Sequence, residues 1–429
     1  MRGDGTMKKE FSINLLDLVL SLATAIDLVS TVVADHHKRV AYIALRLGEE
    51  LGLSHEELEN LVLAGSLHDI GALSLKERID TLEFELANSK NHAELGYRFL
   101  RQFPLLEGVA DIVRYHHVYW EDGKGAKVDG NDVPAASHLI HLADRISVSI
   151  DPRRHVLIQA QDIYQKIREN AGRMFVPEYV EAFEQLSARE YFWMDAASPS
   201  IELALRRRIK SDAAKLSLEE MSNLSQVFTR IVDFKSTFTS THSSGVAATA
   251  EALARIMGFS DIECSYMNIA GHLHDLGKLA VPAEILEKPS ALSEEEFSVI
   301  RGHTFYTRQV LESMGDLGVI TEWATAHHER LNGSGYPGHE EHKDLSAGAR
   351  IISVADVFTA LTEDRPYRKG MGKDQALEVL QEMADTSALD SSVVSQLRQN
   401  FDEINDARIA AQKVAAKEYD EMVKSLNLS

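Results

Sequence analysis

The chain has 429 residues, 44% of them hydrophobic, which is enough for two or three domains that each bury a core. It carries 45 basic and 66 acidic side chains, and the resulting net charge of −21 argues against binding duplex DNA or RNA through phosphate contacts. A single cysteine, Cys264, excludes an internal disulfide framework and is typical of proteins from a reducing cytosol.

No segment has the character of a membrane span or a secretory signal. The most apolar stretch, residues 15–33, contains Asp17 and Asp27, so it is predicted to be a buried amphipathic helix. The N-terminal residues are polar and of mixed charge, unlike a signal peptide. We therefore expect a cytoplasmic protein with no membrane partner, and the sequence leaves its oligomeric state open.

The hydrophobic pattern is helical almost throughout. Apolar residues recur at helical spacing and alternating β-branched runs are rare, so we predict an all-α fold. Gly52 marks a helix stop, and Ser54 with Glu57 has the capping-box pattern that opens the next helix, over 55–69. Further helices are predicted over 155–170, 177–190, 372–385 and 390–424.

An internal repeat organises the chain. Five polar sites of the first half recur in the same order in the second half, at separations that drift only from 205 to 212 positions. Chance histidines on helices would not keep this order, and the period is far too long for a solenoid. We therefore predict two tandem helical domains, residues 1–195 and 217–429, joined by a helical linker over 196–216. The paired sites are His37 and His242, His68-Asp69 and His274-Asp275, His92 and His303, His116-His117 and His327-His328, and Asp144 and Asp356.

The second copy concentrates the side chains that bind divalent metals. Adjacent residues such as His274 and Asp275 do not share one face of a helix, so the pair is best explained by metals at a helix end. The candidate ligands exceed what one tetrahedral zinc needs and suit two ions bridged by Asp275 and by a water or hydroxide. Two such ions favour hydrolysis of a phosphodiester. The seven candidates are His242, His274, Asp275, His303, His327, His328 and Asp356.

Residues around these ligands are suited to a phosphorylated substrate. Lys278 follows Asp275 by one turn and can reach a phosphate oxygen or protonate a leaving oxygen. A turn-rich loop contains three candidate substrate-binding residues, and its glycines let the backbone approach a ligand closely. A basic run in this acidic chain supplies guanidinium groups that suit phosphate oxygens. The loop residues are Arg330, Gly335 and Tyr336, and those of the basic run are Arg365 and Arg368.

With these motifs, the second copy resembles the HD-GYP family of the HD phosphohydrolases over about residues 220–390. The resemblance implies an all-helical HD fold, a centre of two or three ions such as iron or manganese, and hydrolysis of cyclic di-GMP or cyclic GMP-AMP to a linear product by attack of a bridging hydroxide. Three-metal members carry a glutamate where this chain has Phe238, so we expect two ions. The matching segments are 274–278, 301–303, 327–337 and 355–368.

The first copy keeps candidate ligands but loses the residues expected to bind substrate. Lys278 is replaced by Ala72, and the loop is replaced by residues 118–125. We favour a degenerate partner that packs on or regulates the second copy; the alternative is a hydrolase with a different nucleotide substrate. His36 is expected to be a solvated surface residue. The possible ligands of a second metal site are His37, His68, Asp69, His92, His116, His117 and Asp144.

Two other functions are compatible with such a centre. One is hydrolysis of another nucleotide or a phosphomonoester, because the metal ligands themselves do not select a base. The other is a non-catalytic signalling module that senses a nucleotide or a metal. Lys278, the loop at Tyr336 and the basic run argue against the second alternative, because a retired enzyme usually loses such residues.

Overall fold

A computed structural model describes residues 10–28, 35–72, 84, 90–210, 213–235, 241–288, 290–315, 317–364 and 369–425. The chain forms two compact units. The N-terminal unit is Leu15–Asp212, and the C-terminal unit combines Met1–Asn14 with Ala213–Ser429. Helices build both units, which confirms the predicted all-α fold. Among the described residues, no helix combines the length and the apolar character needed to cross a bilayer.

In the N-terminal unit, helix α2 (His36–Glu50) lies at the centre and packs on α3 (His55–Leu67), α6 (Ala135–Val148) and α8 (Pro177–Ser187). It is buried over nearly its whole length, as expected for the central helix of a bundle. Two 3-10 turns, Pro104–Leu106 and Glu121–Ala126, and a small hairpin of β2 (Lys127–Val128) and β3 (Asn131–Asp132) complete the described elements. The helices around α2 are α1 (Leu15–Asp27), α3 (His55–Leu67), α4 (Lys90–Leu100), α5 (Glu107–Arg114), α6 (Ala135–Val148), α7 (Val156–Arg168), α8 (Pro177–Ser187), α9 (Glu190–Ala196) and α10 (Ile201–Arg208).

The C-terminal unit repeats this arrangement around helix α12 (His242–Ile256). This helix packs on α13 (Asp261–Leu273), α17 (Ala347–Thr362) and α20 (Phe401–Ser425). A 3-10 turn, Leu276–Ala280, follows α13. The helix predicted over 390–424 is divided at Asn400 into α19 and α20. The remaining helices are α11 (Leu218–Lys235), α13 (Asp261–Leu273), α14 (Ala283–Leu286), α15 (Glu294–Ser313), α16 (Val319–Thr325), α17 (Ala347–Thr362), α18 (Lys373–Asp385), α19 (Ser391–Gln399) and α20 (Phe401–Ser425).

A strand near the N-terminus belongs to the C-terminal unit, which the sequence did not predict. Strand β1 (Glu10–Asn14) pairs antiparallel with β4 (Ala213–Ser217). Alternate residues of β1 point inward, and the ring of buried Phe11 lies 5.7 Å from the ring of Tyr266. The segment 196–216 was predicted as a helical linker. Its residues Ile201–Arg208 form helix α10, and its last residues belong to strand β4 (Ala213–Ser217).

Matching capping boxes start the helices that precede the two His-Asp pairs. At the start of α3, the Ser54 amide donates to Glu57 Oε2 at 2.8 Å and the Glu57 amide donates to Ser54 Oγ at 3.4 Å. At the start of α13, the Ser260 amide donates to Glu263 Oε2 at 2.7 Å and the Glu263 amide donates to Ser260 Oγ at 3.3 Å. The predicted box at Ser54 is confirmed, and equal helix lengths place both His-Asp pairs at helix C-termini.

Candidate active site

The His-Asp pair of the C-terminal unit lies where α13 ends. His274 is the residue that caps α13, and the 3-10 turn after Asp275 carries Lys278. This turn packs directly against α15: a Cβ atom on Gly277 would lie 1.9 Å from the carbonyl oxygen of His303. Only glycine permits this approach, which brings the carboxylate of Asp275 to His303.

The seven predicted ligands of this unit come together in two clusters that meet at Asp275. Its Oδ2 lies 3.1 Å from His274 Nε2, and its Oδ1 lies 3.4 Å from His303 Nε2 and 3.9 Å from His327 Nε2. In each cluster the ligand atoms lie within 4.8 Å of one another. Asp275 therefore lies between the two groups of ligand atoms. The clusters are His242, His274 and Asp356, and His303, His327 and His328.

Backbone carbonyl groups orient three of these imidazoles. The Nδ1 atoms of His274, His303 and His327 lie 2.7, 2.6 and 2.7 Å from the carbonyl oxygens three residues earlier. A carbonyl oxygen can only accept, so Nδ1 carries the proton and the Nε2 lone pair is left for a metal.

The protonation states of three of these ligands, His303, His328 and Asp275, fit divalent metal binding. Burial lowers the pKa of His303 to about 4 and that of His328 to about 3, so both imidazoles are neutral at neutral pH. Burial opposes ionisation of Asp275, but His274 and Lys278 outweigh it and hold the pKa of the carboxyl well below its usual range. His274 Nε2 is buried and makes no hydrogen bond to any described residue. Neutral imidazoles and ionised carboxylates are the forms that bind metals.

Glu363 is a residue of this site that the sequence reasoning missed. Its side chain is 5% exposed, and its Oε2 lies 3.0 Å from Nδ1 of His242. Burial lowers the pKa of His242, but Glu363 and Asp356 outweigh it and raise the pKa to about 10. The spacing could have identified it, because Glu363 follows Asp356 by seven residues and therefore two helical turns.

Replacing Glu363 by glutamine is expected to weaken metal binding about 10- to 100-fold at the cluster of His242, because a carboxylate that holds a ligating imidazole has effects of that size. Titration of metal-free protein with Mn²⁺ measures it. Asp151→Asn is a matched control, because Asp151 has the equivalent position in the N-terminal unit and pairs with Arg153. An unchanged Mn²⁺ affinity of Glu363→Gln would contradict this role of Glu363.

Lys278 extends the centre toward solvent. Its Nζ lies 2.5 Å from Asp275 Oδ2, and its side chain is 16% exposed. The ammonium group is therefore adjacent to the Asp275 carboxylate and accessible from solvent. Its catalytic role stays a prediction.

The turn-rich loop lies beside the ligand cluster of His303, His327 and His328, and its backbone is hydrogen-bonded to His328. The Tyr336 amide donates to the carbonyl of His328 at 3.2 Å, and the two rings are 4.8 Å apart. Arg330 donates to Ser353 Oγ at 2.7 Å. Gly335 is required for packing, since a Cβ atom there would lie 2.4 Å from the Arg330 amide nitrogen. Substrate binding by Arg330, Gly335 and Tyr336 stays a prediction.

A second buried glutamate fixes the far side of this loop. Glu329 Oε1 accepts from the Gly338 amide at 2.6 Å, and Oε2 accepts from the Glu340 amide at 3.0 Å.

Arg365 and Arg368 lie outside the described residues, as does Phe238, the position that bears on a third metal.

In the N-terminal unit, the structure places His36 rather than His37 in the metal-ligand position. His36 is buried, with its Nε2 atom 3.4 Å from Asp144 Oδ1 and 3.3 Å from His68 Nε2, whereas His37 hydrogen-bonds to Asp27. The prediction of a solvated His36 is therefore wrong. His36 starts α2 as His242 starts α12, so the pair is separated by 206 positions, like His68 and His274. A one-residue slip turns a helical side chain by about 100° to another face.

The other predicted ligands of the N-terminal unit do come together. Asp69 Oδ1 lies 3.2 Å from His92 Nε2 and 3.4 Å from His116 Nε2, and His117 Nε2 lies 2.9 Å from His92 Nε2. Three ligand atoms are buried without a hydrogen bond to any described residue, which fits a metal site. They are Asp69 Oδ1, His116 Nε2 and Asp144 Oδ1.

Two differences distinguish this centre from the one in the C-terminal unit. His36 Nδ1 lies 3.1 Å from the hydroxyl of Ser147, where His242 has a carboxylate. The buried guanidinium of Arg145 pairs with Asp144 through Nε at 3.2 Å, where the second copy has Val357. Both differences reduce the negative charge available to a cation, so this centre is expected to hold metal less tightly.

Comparison with known proteins gives matches over both units. Residues 33–149 match an HD-domain family, and residues 226–393 match a second HD-domain family. The 3'3'-cGAMP-specific phosphodiesterase 1 of Vibrio cholerae is 31% identical over 418 residues, covering 94% of this chain and 96% of that protein. The 3'3'-cGAMP-specific phosphodiesterase 3 of the same organism is 28% identical and covers 91% of this chain and 95% of that protein.

The solved structures include a match of nearly full length. The crystal structure of a cyclic GMP-AMP specific phosphodiesterase of V. cholerae, V-cGAP3, has a TM-score of 0.61 and 25% identity to this chain. The match covers 91% of this chain and 98% of that one, so residues of both units fall within it.

Proposed function

Because the chain belongs to the HD-GYP family of the HD phosphohydrolases and has two HD domains in tandem, we propose that its C-terminal unit hydrolyses 3'3'-cyclic GMP-AMP to a linear dinucleotide. Enzymes of this family are metal-dependent phosphodiesterases of cyclic dinucleotides, and this chain is one of them. Both units bring ligand clusters together, so the observation that supports the assignment to the C-terminal unit is Lys278 beside Asp275, where the N-terminal unit has Ala72.

The residues of the centre suit this reaction. Two divalent ions, which we propose are iron or manganese, supply an activated water and offset the charge of the phosphate when bound. Asp275 joins the two clusters that would hold them, and Lys278 places a positive charge where the departing oxygen becomes negative. Tyr336, beside His328, can position the dinucleotide.

The choice of cyclic GMP-AMP over cyclic di-GMP comes from the relatives. Both Vibrio proteins that align over nearly the whole chain are named as specific for 3'3'-cGAMP. The ligand clusters themselves do not select a base, so this part of the proposal depends on the surrounding surface.

A panel of cyclic dinucleotides tests the substrate. With Mn²⁺ or Fe²⁺ supplied, we expect linear product from cyclic GMP-AMP at a kcat/KM at least about tenfold above that for cyclic di-GMP, a difference of about 1.4 kcal/mol. Exclusive hydrolysis of other nucleotides or phosphomonoesters by the metal-loaded protein would overturn the proposal, as would binding without turnover.

We also propose that the N-terminal unit binds metal but does not cut the cyclic dinucleotide. It lacks the lysine and the substrate loop, and Arg145 occupies one side of Asp144. Removing two ligands together, with His68→Ala and His116→Ala, is expected to release about half of the bound metal and to keep the phosphodiesterase rate. Elemental analysis measures the metal. Unchanged metal content would show that this unit holds none. The proposed ligands are His36, His68, Asp69, His92, His116, His117 and Asp144.

A further inference from the structure

Helix α15 presents an exposed aromatic face beside the metal clusters. Of the four exposed large apolar side chains in the described part of the C-terminal unit, three lie on this helix, and among them Phe297 is 46% and Phe305 is 56% exposed. Phe297, Arg301 and Phe305 are spaced four residues apart and therefore share one face. Single exposed apolar residues are ordinary, but several next to a catalytic centre indicate a contact surface for a ligand.

This face forms one wall of an open cavity of 240 Å³. A cavity of this size is below the range that encloses a whole drug-sized ligand, so it suits a fragment such as one nucleobase. The loop supplies the opposite wall, so the cavity joins α15 to the segment that is hydrogen-bonded to His328. The lining residues are Ser298, Arg301, Gly302, Phe305, Tyr336 and Pro337.

Gly302 has no side chain to fill the floor of the cavity, although the packing of the protein around it would accommodate one. A Cβ atom on Gly302 would meet only the ring of Tyr306, at 3.5 Å, which is an ordinary contact. By contrast, a Cβ atom on Gly277 would collide with the backbone of α15. Glycine inside a helix destabilises the helix relative to alanine. The missing side chain is therefore best explained by a group that enters from outside.

The cavity is lined by residues adjacent to two metal-ligand candidates, His303 and His328, and has the chemistry of a base-binding site. Gly302 directly precedes His303, and the ring of Tyr336 lies 4.8 Å from the ring of His328. The guanidinium carbon of Arg301 lies 5.1 Å from the centre of the Tyr336 ring. Aromatic rings and guanidinium planes are the surfaces on which nucleobases stack.

We propose that this cavity binds one guanine base of the cyclic dinucleotide, stacked against Tyr336 and Phe305 above Gly302. The inference rests on the proposed function, because it names the base-binding part of the same site. Arg301 has only hydrogen-bond donors, and guanine presents the acceptors O6 and N7 on one edge, whereas adenine presents a donor beside N7. The cavity therefore favours a guanine-containing ring over cyclic di-AMP.

Kinetics of metal-loaded variants test the proposal, with cyclic GMP-AMP and methyl p-nitrophenyl phosphate, a small phosphodiester without a base, as substrates. Phe305→Ala is expected to raise KM for cyclic GMP-AMP about 5- to 150-fold, which is the range found for loss of one stacked base. Gly302→Leu, which fills the cavity, is expected to raise it at least about tenfold. The small diester is expected to lose far less in both variants. Val414→Ala, which removes an exposed apolar side chain of α20, is the control and leaves both substrates unaffected.

Each result of these measurements either supports the guanine site or overturns a named part of the proposal. Unchanged KM for cyclic GMP-AMP in both variants would overturn the guanine site while leaving the proposed function intact. If Gly302→Leu damaged both substrates equally, Phe305→Ala would decide, because truncation of a half-exposed side chain does not disturb the core. Failure of the wild-type protein to cut any cyclic dinucleotide would instead overturn the proposed function. Arg301→Gln should reduce the ratio of cyclic di-GMP to cyclic di-AMP turnover, and an unchanged ratio would remove the guanine assignment.

Discussion

Asp275→Asn is expected to reduce cyclic GMP-AMP hydrolysis by at least about 10³-fold, because two metal ions supply several kcal/mol of transition-state stabilisation and Asp275 lies between both ligand clusters. An amide keeps the shape of the side chain but loses the negative charge that would hold the cations. Linear product measured by chromatography gives the rate, and elemental analysis of the same sample gives the metal content. We expect both to fall together.

The matched control is the same substitution in the other copy. Asp69 precedes Asp275 by 206 positions and has the same place among His68, His92 and His116. Asp69→Asn is expected to lower the metal content of the N-terminal unit and to leave the phosphodiesterase rate intact. A loss of hydrolysis in Asp69→Asn with full activity in Asp275→Asn would reverse the assignment of the two units.

Lys278→Met is expected to reduce kcat by about 10²- to 10³-fold while the protein keeps its metal, because removal of one group that stabilises developing charge has effects of this size. An ammonium group has only hydrogen-bond donors and no lone pair to offer a metal, so the loss is expected in kcat and not in metal content. Lys278→Arg retains a positive charge and is expected to recover part of the rate. Full kcat in Lys278→Met would exclude Lys278 from the chemical step.

Most of the catalytic unit was predictable because its signals are local. Helical periodicity predicts the all-α fold, and the order of histidines and aspartates predicts the repeat. Both His-Asp pairs lie at helix ends, where an adjacent pair can contact metals. The capping box at Ser54 was predictable for the same reason, since it depends on residues three positions apart.

Two features were not predicted correctly: which of two neighbouring histidines faces the site, and which segments far apart in the chain pair as strands. His36 and His37 are neighbours, so composition does not show which one faces Asp144; the constant separation of 206 positions that leads from His68 to His274 would have selected His36. The strands β1 and β4 are five residues long and about 200 positions apart; β1 alternates polar and apolar residues, but over too few positions to predict its pairing with so distant a segment.

The two copies differ in the charges that surround the histidines and aspartates they share. Arg145 neutralises part of Asp144 in the first copy, and Ser147 replaces the carboxylate that orients His242 in the second. Ala72 removes the charge that Lys278 provides. These three changes surround a set of imidazoles that both copies contain. Each change alters the charge of the centre and not its fold.

The most direct test of this account is an anomalous difference map from crystals of the metal-loaded protein, collected at the absorption edge of the bound metal. The account predicts two peaks in the C-terminal unit, one among His242, His274 and Asp356 and the other among His303, His327 and His328, with Asp275 contacting both. A single peak, or metal in the N-terminal unit alone, would contradict it.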